Sequence, residues 1–478
     1  MNTLQPQMAD LSVSNLTTAE LDWSAKKLSH PSITYNKINV INGVNTATIN
    51  SNATQGAFSF QIPAKVLSLK DSFVSMDLAI TNTAGFTILD GNFGSIFSRV
   101  VITADTGVVL ADINDFHRYC AMLVPASTKQ SDLDDNYSGL DTVSTTQATA
   151  QELPFGVIQK SNNTQSTSWQ ADAVTPTVGI SPFVNRFRGT TANTHALDRN
   201  NTGVRHFVIA ESANVATFAT YQFRLKDLLP YTLCSLDQLL YFGGSQLQFD
   251  FYLNGIDYIG FQMTSPLMAA GIGAISIAMS GFQFNLAVES NVATINSIVS
   301  KVKNEGVRLK IPYVYSSKTA ISQSTSHAIN QVITATSGKR LLWIAYAPFT
   351  ILTARDVINS HSADAIVTSY TTTLDNVNIK SQSSINVAKG EHWLYNRMEL
   401  NGSCIKGAND LLQDFADYTS YVGKSLCQFD PSVEDGLPLT ENHTFGVQLN
   451  TTDIALNHYV YYCMSRDLIL QNFSVQVI

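Results

Sequence analysis

Apolar and polar residues alternate along most of the chain, and this alternation predicts β-strands. A period of two runs through AFSFQIP (57–63) and returns in FVSMDLAITN (73–82), with Lys70 and Asp71 predicted in the turn between them. Such a period marks a strand with one buried face. The most regular example is LQFDFYL, in which Phe249 and its apolar neighbours should point into a core.

Short runs with helical spacing interrupt the strands. One is predicted to begin at an N-cap, Asp112, and to stop at Pro125. Another is predicted to begin at Ser290 and to end before Gly306. A third covers residues 410–422. These segments separate groups of strands, so the chain is predicted to be all-β with short helices.

The stretch YQFRLKDLLPYTLCSLDQLLYFGGSQLQFDFYL joins two predicted strands through a compact apolar run. Leu233, Leu236, Leu239 and Leu240 are spaced as on a helix, and Gly243 with its neighbouring glycine would break that helix. We therefore predict a helical plug whose leucines close one end of the first group of strands.

Strands, a polar turn, a strand, a helix and further strands follow each other in the same order twice, which predicts two similar β domains. The predicted organisation is an N-terminal arm (1–35), a first domain (36–289), a linker helix (290–310) and a second domain (311–478). The polar stretch 127–205 is predicted to be a long surface loop of the first domain.

Composition narrows the possible functions. The chain has 478 residues, of which 44% are hydrophobic and only 14% charged, and its net charge of −8 includes just 29 Lys and Arg. Binding to a nucleic-acid backbone needs a cluster of positive charge, so direct sequence-specific nucleic-acid binding is not expected. Low charge with many Ser, Thr, Asn and Gln is typical of strand-rich proteins with large contacted surfaces.

The five cysteines include no C-x-x-C pair, which favours a reducing compartment over a disulfide framework or zinc site. The N-terminus lacks the basic and apolar regions of a secretory signal. The uncharged stretch 258–288 is interrupted by glutamines, glycines and a proline, so buried strands are expected there rather than a membrane span.

The sequence contains no set of residues that predicts catalysis, a cofactor site or a metal site. Its nine histidines lack the close spacing of metal ligands, and each is interpreted as isolated. The triplet 423–425 (Gly-Lys-Ser) lacks the earlier glycine of a phosphate loop and is interpreted as a helix end. The acidic run 132–141 is interpreted as a solvated loop, with a calcium loop as the alternative. The basic run 301–310 either contacts an anionic partner or is solvated.

Five segments carry a resemblance to a known family: residues 58–82, 219–254, 292–333, 374–395 and 458–472. They resemble, in order, the double jelly-roll major capsid proteins of the tectivirus and adenovirus lineage, most closely those of Polinton-like viruses and adintoviruses. The polar stretch 127–205 matches no part of that family.

This resemblance implies two consecutive eight-stranded jelly-roll barrels standing side by side, with short helices and long surface loops. It also implies a structural, non-enzymatic protein whose homotrimers form pseudo-hexagonal capsomers of an icosahedral shell around double-stranded DNA. The implied partners are further copies of the chain, neighbouring capsomers, penton and minor capsid proteins, and an internal membrane in some viruses. The implied location is the virion shell, assembled inside the host cell, with stretch 127–205 as a tower or a clasp between subunits.

Two other classes stay open on the sequence. A β-sandwich adhesin or lectin would use the polar loop to bind a glycan. A carbohydrate-active enzyme would need a paired acid and base in a cleft, and nothing in the sequence marks such a pair.

Overall fold

The structure is a computed structural model that describes residues 32–41, 45–51, 56–82, 86–90, 96–127, 140–144, 183–184, 187–189, 195–197, 206–209, 214–256, 260–263, 275–335, 339–350, 367–379, 384–386, 427–429 and 436–477. Strands dominate these residues, which confirms the predicted all-β class. We call residues 32–289 the first half and residues 307–477 the second half.

The strands described in the first half are β1 (Ile33–Asn39), β2 (Thr46–Ile49), β3 (Ala57–Ile62), β4 (Leu67–Asn82), β5 (Phe86–Asp90), β6 (Phe97–Ala104), β7 (Val109–Asn114), β8 (Leu140–Ser144), β9 (Phe183–Val184), β10 (Phe187–Gly189), β11 (His195–Leu197), β12 (His206–Ile209), β13 (Asn214–Arg224), β14 (Leu247–Leu253), β15 (Gly260–Met263) and β16 (Ile275–Glu289). Those of the second half are β17 (Val307–Ile333), β18 (Arg340–Thr350), β19 (Val367–Leu374), β20 (Val377–Asn378), β21 (Ile385–Asn386), β22 (Cys427–Phe429), β23 (Leu437–Pro438), β24 (His443–Gln471) and β25 (Ser474–Val477). The helices are α1 (Phe116–Ser127), α2 (Leu225–Leu228), a 3₁₀ turn (Leu233–Ser235) and α3 (Val292–Asn304).

Two sheets of the first half pack face to face. One has the order β1-β16-β4-β13-β8, with β2 also paired to β16, and the other has the order β3-β14-β6-β7. Strands β15-β5-β12-β9 form a further sheet, and β10 pairs with β11. The pairings are antiparallel throughout the described strands. Strand β8, from the polar stretch 127–205, extends the first of these sheets.

Phenylalanine rings fill the space between the two packed sheets. Phe58 of β3 stacks on Phe282 of β16, with ring centroids 4.1 Å apart. Phe249 of β14 meets Phe284 of β16 at 5.1 Å. Both contacts join residues of opposite sheets, so the alternation read in LQFDFYL does point its apolar side chains into the core. Such rings contribute most of the buried apolar area in a core of this kind.

The second half is built around β24, a strand of 29 residues. Along one edge it pairs with β17 over nearly its whole length. Along its other edge it pairs in turn with β19, β18 and β25. The β17–β24 register shifts between Ile321 and Ser326, where a bulge interrupts the ladder.

The sheet formed by β18 and β24 is buried on both faces. Trp343 and Tyr461 point to one face, into a core shared with the first half. Tyr346 and Tyr462 point to the other, into a separate core of the second half. Successive residues of a strand face opposite sides, so this single sheet is packed between two cores.

The predicted start and end of the first helix are wrong. Asp112 lies in β7, and its carboxylate accepts two hydrogen bonds of 2.7 Å from Arg99, so it is not available as a cap. The helix begins at Phe116, after Asp115 with a φ of 48°. Pro125 does not stop it, because α1 runs on to Ser127.

The predicted helical plug is also wrong in its secondary structure. It forms only the 3₁₀ turn, and Leu240 is extended, exchanging backbone hydrogen bonds with Leu67. A short helix, α2, lies instead in the part predicted as strand. Spacing within a short apolar run does not separate a helix from buried extended chain. The packing role holds, because Leu233 and Leu239 are 1% exposed and Leu236 packs against the same core.

Helix α3 is capped one residue later than predicted. The Asn291 side chain accepts from two backbone N–H groups of the first turn, whereas the Ser290 hydroxyl donates to the Ser32 carbonyl. The sequence pattern places Val292 and Val302 on one apolar face; Val302 is buried with Ile298, whereas Val292 is 68% exposed. Gly306 follows the helix with a φ of +76°, as predicted.

Two strand predictions are corrected by pairing. Lys70 and Asp71 lie inside β4, which pairs with β16, rather than in a turn before it. The alternation near the C-terminus predicts two strands, 458–465 and 467–478; residues 458–471 instead belong to the single strand β24, and Ser474–Val477 form β25. The predicted helix 410–422, the triplet 423–425 and the first eight residues of the acidic run 132–141 lie outside the described residues. Of the predicted arm, residues 32–35 are described, and β1 begins there at Ile33.

A charge at Phe249 should prevent folding, because it would be buried between the two phenylalanine-lined sheets. Removal of a buried phenylalanine ring alone costs about 3–5 kcal/mol, and an unpaired buried charge adds to that loss. We expect Phe249→Asp to give no soluble folded protein in size-exclusion chromatography and circular dichroism. Tyr252→Asp, on the outer face of the same strand, is the matched control and should fold; equal behaviour of the two variants would contradict this core.

Candidate functional site: the interface between the two halves

Helix α1 of the first half lies against β18 and β24 of the second half, and β7 lies against β17. Phe116, Tyr119 and Cys120 belong to the same buried cluster as Trp343 and Tyr461. One continuous apolar core therefore crosses from one half to the other. Burial of apolar surface is the main favourable term in such contacts, so the two halves are held as one body.

Tyr119 and Tyr461 meet at the centre of this interface. Their rings pack edge to face with centroids 5.9 Å apart. The Tyr119 hydroxyl donates to the Pro230 carbonyl, and the Tyr461 hydroxyl donates to the Asp115 carbonyl at 3.1 Å. Burial raises the pKa of both phenols well above their usual value, so both act as neutral donors. Each ring supplies apolar area while its hydroxyl satisfies a turn carbonyl.

Arg118 carries a guanidinium into the same interface. Its central carbon lies 3.9 Å from the Phe349 ring centroid and 5.8 Å from that of Tyr459. Burial lowers the pKa of Arg118, and Tyr459 partly offsets this effect. Lys318 reaches the Asp115 carboxylate at 3.5 Å beside it. Cations over aromatic faces are attracted more strongly when water is excluded.

Arg466 ties the far end of β24 to the first half. Its guanidinium donates to the carbonyls of Val109 and Leu110 at 2.8 and 2.6 Å, and it lies 4.6 Å from the Tyr313 ring centroid. These carbonyls belong to β7, the strand before α1. The contact therefore sets the position of the long strand relative to the helix.

A turn of two glycines forms the third contact between the halves. The carbonyl of Gly243 accepts from the Phe473 N–H at 2.7 Å. Gly243 has a φ of +67°, and a Cβ placed there would lie 1.8 Å from the Gln471 carbonyl oxygen. A side chain at Gly244 would lie 2.7 Å from the Phe473 ring. Only glycines allow the β24–β25 turn to approach this closely.

Three cysteines that form no disulfide lie at the interface, on elements of both halves. Cys120 lies on α1, Cys234 on the 3₁₀ turn and Cys463 on β24, and all are buried. Burial raises the pKa of Cys234 to about 12. Because the thiolate is the reactive form, these cysteines should be inert while the halves stay in contact.

The structure brings together two histidines that were predicted to be isolated, so that prediction is wrong for them. His327 of β17 and His458 of β24 are both buried, with Nδ1 of the first 3.1 Å from Nε2 of the second. A separation of 131 residues gives no sequence signal for this pairing. Of the basic run 301–310, Arg308 forms an ion pair of 2.5 Å with Asp467 in the neighbouring strand.

The described residues hold no group of three or more His, Cys, Asp or Glu that could bind a metal ion. Among the same residues, no helix is both long and apolar enough to cross a membrane. The arrangement described here is suited to holding two domains together. Sequence reasoning missed Arg118, Tyr119 and Tyr461, although an arginine and a tyrosine on the apolar side of α1 were a usable signal.

No protein-family model matches the sequence, and no curated protein matches it. Among solved structures, the major capsid protein of mavirus aligns with 100% of this chain and 95% of its own, at a TM-score of 0.52 and 11% identity. A chain of the Sputnik virophage aligns with 100% of this chain and 93% of its own, at a TM-score of 0.48 and 12% identity. PBCV-1 VP54 aligns with 94% of this chain and 97% of its own, at a TM-score of 0.46 and 8% identity.

The likeness to the mavirus protein shows the fold. The chain is all-β and has two consecutive jelly-roll barrels, which confirms the fold predicted from the sequence. This double jelly roll is the fold of viral major capsid proteins.

A methyl group at Gly243 should weaken the contact between the two halves. Gly243→Ala incurs the usual cost of about 1–2 kcal/mol for a left-handed residue, and it also displaces the Gln471 carbonyl. We expect a lower free energy of unfolding in urea and faster labelling of the buried thiols, measured with Cys404→Ser and Cys427→Ser as background. Gly107→Ala is matched in φ (+84°) and meets nothing within 4 Å, so it should show only the smaller loss. Equal losses would contradict this contact.

Proposed function

We propose that this chain is a structural major capsid protein whose homotrimers form the capsomers of an icosahedral double-stranded DNA virus. The observation that carries the proposal is the mavirus alignment, which covers nearly the full length of both chains. A partial match would support one jelly roll, a domain found in many proteins; a match through both barrels and the linker supports the complete capsomer subunit.

The interface between the halves supports the same function. A capsomer subunit must present its two barrels at a fixed angle, because the edges of both meet neighbouring copies. Tyr119, Arg118 and Arg466 fix that angle through buried contacts rather than through a flexible linker. Three copies of a rigid two-barrel subunit give six similar sides, and such a block can tile a shell.

The finer parts of the proposal follow from the resemblance to Polinton-like virus and adintovirus capsid proteins. They comprise the virion shell as the location, assembly inside the host cell, and neighbouring capsomers with penton and minor capsid proteins as partners. An arm up to residue 35, a linker helix over 290–310 and barrels on either side complete the proposed organisation. The proposal assigns no catalytic role, cofactor or metal to the chain.

The oligomeric state of the purified full-length chain tests this function. We expect light scattering after size-exclusion chromatography to give about three times the chain mass of 52.2 kDa, and negative-stain micrographs to show particles with a pseudo-hexagonal outline or closed shells. A stable monomer that binds glycans on an array would contradict the proposal and favour the adhesin or lectin.

A further inference from the structure

Three buried polar side chains are linked by hydrogen bonds across the second half. The Tyr346 hydroxyl of β18 lies 2.9 Å from Nδ1 of His458 on β24. Nε2 of His458 lies 3.1 Å from Nδ1 of His327 on β17, and Nε2 of His327 lies 3.0 Å from the Ser324 carbonyl oxygen. All three side chains are at most 1% exposed. Three adjacent strands are thus joined by side-chain hydrogen bonds.

The Ser324 carbonyl fixes where the protons lie. A carbonyl oxygen only accepts, so Nε2 of His327 carries a proton and its Nδ1, in the neutral ring, is an acceptor. His458 must then donate from Nε2, which leaves its own Nδ1 to accept from the Tyr346 hydroxyl. With both imidazoles neutral, each ring nitrogen and the Tyr346 hydroxyl have a hydrogen-bond partner.

These hydrogen-bonded side chains lie beside the bulge in the β17–β24 ladder. The register shifts between Ile321 and Ser326, and the Ser324 carbonyl there also accepts from the Thr451 hydroxyl at 3.3 Å. Backbone pairing is interrupted at this point. Side-chain bonds therefore supply part of the strand-to-strand contact that the ladder lacks.

Among the residues that the structure describes, few groups could neutralise a positive charge on His458. Tyr346 of β18 and His327 of β17 face His458. The titratable groups of the same core are Tyr370 of β19, Tyr462 of β24 and, packed against it, Tyr313 of β17; His443 is also buried. Asp375, in the turn after β19, has its carboxylate bonded to His443 at 2.7 Å. The other nearby charges point away: Lys318 faces Asp115 and Tyr459 on the opposite side of the sheet, and Asp453 bonds Gln323 at the surface.

We propose that the hydrogen-bonded side chains Tyr346, His458 and His327 form an acid-sensitive latch, which stabilises the packing of the three strands while both rings are neutral and loses that contribution when His458 takes up a proton. The added proton would sit on Nδ1 of His458, where the Tyr346 hydroxyl can turn to accept it. The ring nitrogens would then keep their partners, but a charge would be buried among the three strands, and that burial lowers the stability. The inference concerns the stability of the second half and does not depend on assembly.

The direction of the pH effect follows from His458. Burial, and then the neighbouring His327, lower the pKa of His458 from 6.5 to about 4. In the unfolded protein the His458 ring takes up a proton below about pH 6.5, whereas in the folded protein it stays neutral down to about pH 4. The latch is therefore fully stabilising above pH 6.5, and its contribution is lost as the pH falls through that window.

Urea unfolding of the full-length chain at pH 7 and pH 5 tests the latch. The double variant His327→Gln, His458→Gln keeps a hydrogen-bond donor and acceptor at each of the two positions, but neither glutamine takes up a proton. We expect the pH change to raise the unfolding equilibrium constant of the wild type about twentyfold more than that of the double variant. A difference below about threefold would overturn the proposal. Each protein is compared with its own value at pH 7, so a uniform loss of stability does not affect the result.

Tyr346→Phe separates proton uptake from the loss of a hydrogen bond. It removes a hydroxyl but keeps both imidazoles, so it should be less stable at pH 7 and retain the pH dependence. A pH dependence as flat as that of the double variant would contradict the latch. If the double variant does not fold, the single variant His458→Gln is measured under the same conditions and against the same threefold limit.

Discussion

The burial of one sheet on both faces is the constraint on which the rest of the structure depends. Strands β18 and β24 separate two cores, one belonging to the second half and one shared with the first. A sheet with two buried faces cannot be exposed on either side without loss of a core. The first half therefore completes the packing of the second, and α1, with Tyr119 and Arg118, is the element that makes the contact. In the proposed function, this contact makes two barrels into one subunit.

Polar groups give the interface its geometry, since apolar burial alone is not directional. The Tyr461 hydroxyl and the Gly243 carbonyl each bond to one backbone group of the other half, and the Arg466 guanidinium bonds to two. A sliding or rotated interface would leave these groups buried without partners. The same logic applies inside the second half, where the histidine chain joins three strands at the bulge. Both sets of bonds stabilise one arrangement rather than many.

Much of the fold could be predicted from local sequence because strands leave a period of two. That signal was correct for the phenylalanines of β3 and β14, and the repeated order of elements indicated two similar domains. It failed where two structures share one pattern: the leucines of 233–240 fit a helix or buried extended chain equally well. The cap predictions failed because both side chains have other partners: Arg99 binds Asp112, and the Ser290 hydroxyl donates to the Ser32 carbonyl while Asn291 caps α3. The interface and the histidine pair could not be predicted, since their members lie more than a hundred residues apart and meet only in the folded chain.

Whether the two halves unfold together tests the shared core most directly. Hydrogen–deuterium exchange along a urea titration of the full-length chain would follow peptides of β14 and of β24 separately. A single core predicts that both sets lose protection at the same urea concentration, in one cooperative transition. Loss of protection in β24 at a clearly different concentration from β14 would show that the halves are independent domains, and would contradict the account.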